Sequence, residues 1–129
     1  MNETDLDALE RATHGMKHFS ARAVARDGVE GGLRIHLEGY LDGDAAGTLM
    51  PAVMALIEKW DGQPRVVFVL DKLEYISSLG VGMLITAKAV ARERGFAHAL
   101  ENSPPPVRHV LELLGVFTYM SMQDRPSTE

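Results

Sequence analysis

The chain has 129 residues, 46% of them hydrophobic, and a formal net charge of −5. That length fits one domain with a real core, and the acidic balance argues against nucleic-acid binding, which needs basic surface to neutralise phosphates. Zero cysteines exclude disulfides, thiolate nucleophiles and zinc–thiolate sites. No apolar run approaches bilayer-spanning length and the acidic N-terminus has no hydrophobic signal region, so a cytoplasmic protein is expected.

Residues 1–18 look like an N-terminal extension. Leu6, Leu9, Thr13 and Met16 share one helical face and Thr4 is placed to cap it. The stripe is thin and fits a docked or dimer-forming helix and a frayed tail equally. Phe19–Ala25 reads as a first strand and Arg26–Gly32 as a turn. Leu33, Ile35 and Leu37 then alternate with Arg34, His36 and Glu38, the period of a strand with one buried face. These two strands are expected to pair antiparallel.

Gly39–Asp44 breaks the strand and supplies capping carboxylates. Leu49, Val53, Leu56 and Trp60 form the apolar face of a helix that Asp61-Gly62-Gln63-Pro64 stops. The unbroken run Val66–Leu70 predicts a buried strand, followed by a short polar turn. Beyond Ser77-Ser78, Val81, Leu84, Ala87 and Ala91 give a second helical face, with Lys88, Arg92 and Arg94 on the solvent side and Gly95 closing the helix. Phe96–Leu100 is a fourth strand. Ser103-Pro104 predicts an N-cap and first-turn proline for a third helix bearing Val107, Val110, Leu111 and Leu114, with Gly115 as its C-terminal cap. Val116–Met122 reads as a short last strand or an irregular end, and 123–129 as a loose tail. The order β-β-α-β-α-β-α, with helices as crossovers, implies an α/β sandwich whose sheet is partly parallel.

Catalytic motifs are weak. Gly80-Val81-Gly82 follows a strand, but Ile85 stands where a dinucleotide fingerprint needs its third glycine. Neither serine lies in a nucleophile elbow. His14 and His18 are four apart, a spacing more often found on a solvated face than at a metal. Asp44 and Asp71 suit capping and turns better than a cation cluster, while Asp42 stays open. The two serines stand where a strand hands over to a helix, a setting with unpaired N–H groups that favours an anion. They fit a simple cap and a phosphorylation switch about equally. Gly80 and Gly82 tilt this a little toward a switch, because they leave flat backbone where another protein can approach; Leu79 and Met83 beside them fit exposed apolar contacts or the core.

Three segments together resemble the STAS domain family, the anti-sigma factor antagonists, over residues 19–122. They are Leu37-Glu38-Gly39-Tyr40-Leu41-Asp42, the stretch Phe68–Asp71 followed by Tyr75-Ile76-Ser77-Ser78-Leu79-Gly80-Val81, and Val107–Val116. The resemblance implies a STAS-like sandwich: a mixed four- to five-stranded sheet with helices packed mainly on one face. It places the family's phospho-acceptor on Ser78, with Ser77, which stands where an acidic residue is usual, as the alternative acceptor. It also puts Asp42 near the phosphorylation turn, in a partner surface with Ser77, Leu79, Gly80, Gly82 and Met83.

The function implied is a partner switch. Unphosphorylated, such a protein binds an anti-sigma factor or related serine kinase, the kinase phosphorylates it and the complex parts, and a serine phosphatase resets it. It would be a substrate of catalysis rather than an enzyme, with no cofactor and no metal. A constitutive STAS subunit or scaffold of an ATPase, transporter or signalling complex is the alternative reading, and a sensor of a small molecule or lipid is a third.

Overall fold

The computed structural model describes residues 1–122; the expected tail at 123–129 lies outside the described residues. Four strands, β1 (Phe19–Arg26), β2 (Gly32–Leu41), β3 (Arg65–Ile76) and β4 (Ala97–Glu101), form one sheet in chain order. β1 and β2 pair antiparallel, as the turn between them requires, and β2–β3 and β3–β4 pair parallel. The helices are α1 (Glu3–Leu6), α2 (Ala8–Thr13), α3 (Gly43–Lys59), α4 (Ser78–Glu93), α5 (Pro105–Leu113) and α6 (Phe117–Ser121).

Strand order dictates the layering. Each parallel strand is added on the same side of the last, so crossovers of one hand place α3 and α4 on the same face of the sheet. Leu33, Ile35 and Leu37 of β2 and Val66, Phe68 and Leu70 of β3 point to that face. They join Leu49, Val53, Leu56, Ile57, Leu84, Ala87, Val107 and Leu111 in one core. The mixed sheet with helices on one face is the architecture expected.

Helices α3, α4 and α5 all pack on that face, and on the opposite one Val67 and Val69 are buried with Ala99. An ion pair covers them. Arg34 on β2 reaches Glu101 on β4, across β3, with Nη2 donating to Oε1 at 2.5 Å.

Several local expectations are corrected. β3 does not end at Leu70 in a polar turn but runs to Ile76. Its pairing with β4 stops at Val69, while pairing with β2 continues to Ile76, so the polar residues Asp71, Lys72 and Glu74 belong to a strand with one free edge. Val116–Met122 is no strand: Gly115 turns the chain at φ +73°, and Val116, Phe117 and Met120 then meet the core at helical spacing. Helix α5 starts at Pro105 with Pro104 as N-cap and no side-chain bond, so Ser103 does not cap it. Lys88 is not on the solvent side. Its ammonium group donates to the carbonyls of Tyr119 (2.7 Å) and Met122 (3.0 Å), tying α4 to the end of α6. Arg94 donates to the carbonyls of Ile57 and Trp60, which satisfies acceptors left open at the end of α3.

Residues 1–18 form two short helices against the domain. Asn2, not Thr4, caps the first, in a reciprocal capping box with Asp5. Leu9 is completely buried in the main core, and the Thr13 hydroxyl accepts from the Ala21 N–H of β1. Leu9→Ala is therefore expected to lower unfolding free energy by about 3 kcal/mol in a urea titration; a loss below about 0.5 kcal/mol would show that the segment is not docked in solution.

Candidate functional site

β2 and β3 end side by side, with Leu41 in register with Ile76. Parallel strands send their next helices out at the same end, so the N-termini of α3 and α4 emerge as neighbours. The Ser77 N–H donates to the Leu41 carbonyl at 2.9 Å, closing this junction. Gly80 makes the approach feasible. A Cβ there would lie 2.9 Å from the Leu41 oxygen and as close to side-chain atoms of Leu41 and Ile76.

The two serines have different jobs. Ser77 is the N-cap of α4, its Oγ accepting from the Gly80 N–H at 3.1 Å. Ser78 is the first residue of the helix and is exposed. Its own N–H and that of Leu79 lie in the first turn, where no intrahelical acceptor exists. Their partial positive charge faces the same end as the Ser78 side chain. Asp42 caps α3 in the same way, its carboxylate accepting from the Ala45 N–H at 2.9 Å while remaining exposed.

Leu79 is 66% exposed and reaches over to the α3 terminus, where a Cβ on Gly43 would meet its Cδ1 at 3.1 Å. Gly82 is exposed with open space around it. Gly80 and Met83 are a correction: both are buried, Gly80 beneath the strand–helix junction and Met83 in the core one turn beyond Leu79. The structure thus brings Asp42, Ser78, Leu79 and Gly82 to the surface and keeps Gly80 and Met83 inside.

Tyr40 and Tyr75 are additional neighbours that sequence reasoning missed. They pair across β2 and β3, with ring centroids 6.0 Å apart and nearly half of each side chain exposed. His18 meets Tyr40 edge-on. The signal was available, because each tyrosine precedes a core residue, Leu41 or Ile76, and must face the other way. Among the described residues no group of three or more histidine, aspartate or glutamate side chains is placed to hold a metal ion.

The STAS domain family model matches residues 20–128. The chain belongs to the STAS domain family. Solved structures share the fold. The anti-sigma factor antagonist SpoIIAA in its unphosphorylated form has a TM-score of 0.63 at 20% identity, over 78% of this chain and 85% of that one. The Bacillus cell fate determinant SpoIIAA in its phosphorylated form gives 0.57 at 19%, over 78% and 88%. An anti-sigma factor antagonist from Mycobacterium paratuberculosis gives 0.60 at 22%, over 84% and 88%. At these identities the likeness concerns fold. A search of curated protein sequences gives no significant match.

The unequal roles of the serines in this STAS domain set a stability test. Ser77→Ala removes a cap and is expected to cost about 1 kcal/mol, whereas Ser78→Ala should change stability by less than about 0.5 kcal/mol. Denaturant titration of both variants separates them; the reverse ranking would place the cap on Ser78.

Proposed function

We propose that this STAS domain is a protein-binding partner switch of the anti-sigma factor antagonist kind, with Ser78 as the modified residue. The observation that carries the proposal is the division of labour at the α4 N-terminus. Ser77 is spent on the cap, and the Ser78 hydroxyl stands exposed at the first helical position. The partner is an anti-sigma factor or related serine kinase, reset by a serine phosphatase. Residues 19–122 carry the binding module and 1–18 are an extension packed on it.

The physics supports modification without unfolding. A phosphate adds about −1.5 to −2 charges at neutral pH. On Ser78 it would gain from the N-terminal end of α4, which favours an anion, and would be opposed by the Asp42 carboxylate at the adjacent helix start. In the free protein it stays in water. In a complex covering Leu79 and Gly82 it must be desolvated beside that carboxylate, so its cost falls on the bound state. The exposed Tyr40–Tyr75 pair extends the docking surface with two aromatic side chains, a type enriched at binding hot spots.

Ser77 stands where the family usually has an acidic residue, and this favours one further reading, a constitutive STAS subunit that is never phosphorylated. Incubation with the cognate kinase and radiolabelled ATP distinguishes them. Wild type and Ser77→Ala should incorporate label and Ser78→Ala should lose at least nine-tenths of it. Undiminished label in Ser78→Ala would overturn the assignment, and a single unmodified intact mass across growth conditions in the host would favour the constitutive subunit.

A further inference from the structure

The sheet face opposite the helices holds a second feature, unconnected with Ser78. A cavity of about 490 Å³ opens on it, bordered by Arg22 and Arg26 of β1 and by Arg34 and His36 of β2. Its size suits a small ligand. The strand register explains the grouping. Arg22 lies directly opposite His36, and Arg34 lies opposite Val24, diagonal to both Arg22 and Arg26. Arg22 and Arg34 therefore flank the imidazole of His36, and Arg26 stands further along β1 beside Arg34.

We propose that this cavity is a binding site for a small anion bearing carboxylate or phosphate groups, with Arg34 as its floor and Arg22 and His36 as its wall. Arg34 is 5% exposed, and its Nε is buried without a hydrogen-bond partner although Nη2 is held by Glu101. An orphaned N–H on a buried cation is costly, and an acceptor entering the cavity would satisfy it. Arg22 and Arg26 form no ion pair among the described residues. His36 is held below its ordinary pKa, first by burial and then by Arg22 and Arg34, with Asp71 pulling the other way; this matches local positive potential in want of an anion. Glu10, Glu38, Asp71 and Glu101 also border the cavity, and Lys72 adds a fourth cation. Glu101 is engaged by Arg34, and the other three carboxylates limit the site to ligands that keep their charge at the arginine end.

The guanidinium chemistry serves phosphate and carboxylate alike, so the test has two arms. Inorganic phosphate and citrate are titrated separately into the full chain at constant ionic strength. NMR shifts of the His36 ring are followed, with sodium chloride as the reference. Saturable movement with either probe, weakened at least fivefold by Arg22→Gln and unaffected by Ser78→Ala, is expected. Saturation by phosphate alone assigns a phosphorylated ligand, and by citrate alone a polycarboxylate. Arg34→Gln should abolish the movement; should it fail to fold, the exposed Arg22→Gln decides the matter. Shifts that match chloride, or that persist undiminished in Arg22→Gln, would overturn the proposal. So would sedimentation showing that a second copy of the chain occupies this face.

Discussion

One short junction organises the functional end of the molecule. The Leu41 carbonyl, the last of its strand, accepts the Ser77 N–H, and the missing side chain of Gly80 lets α4 start directly against it. The bond sets where α4 begins and so which serine is the cap. With the chain fixed there, Ser77 Oγ turns back onto the Gly80 N–H and Ser78 turns outward. A larger residue at position 80 would meet the Leu41 backbone itself, an atom that cannot move aside without disturbing the strand end.

The one-sided packing of the sheet has two consequences. It concentrates the core between sheet and helices, so Leu41 and Ile76 are buried where β2 and β3 deliver Asp42 and Ser77. It also leaves α3, α4 and α5 off the other face, where side chains cover the apolar strip. The Arg34–Glu101 pair spans β3 to shield Val67 and Val69, keeping charged groups over an apolar strip. Such a buried cation is weak evidence for stability, since desolvation offsets much of the attraction. The anion site proposed on that face would give this cation a second partner, for its unpaired Nε.

Much of this was legible from residue order. Period-two alternation located β2 and its buried face, and the Leu49–Val53–Leu56–Trp60 spacing located α3 with all four residues inside. What escaped depended on partners distant in sequence. Lys88 looks like surface until α6 is folded beneath it and offers two carbonyls. The length of β3 was hidden because the part beyond Val69 pairs on one side only and therefore tolerates charge. Met83 and Leu79 are indistinguishable by hydropathy, and only the phase of α4 against Ile76 and Leu41 puts one in the core and the other in water. The N-terminal helices were ambiguous because Leu9 is their one fully buried apolar side chain, while Leu6 and Met16 are only partly covered. At the site, the strand–turn–helix pattern disclosed the serine pair, while the cap that divides their roles is a matter of three-dimensional geometry.

The central claim is that an anion on Ser78 decides whether a partner docks. Isothermal titration of the cognate kinase against the unmodified and the Ser78-phosphorylated protein tests it most directly. A penalty of about 3 kcal/mol predicts affinity weakened more than a hundredfold by the phosphate, with the fold intact by circular dichroism. Equal affinity for the two forms would contradict the account.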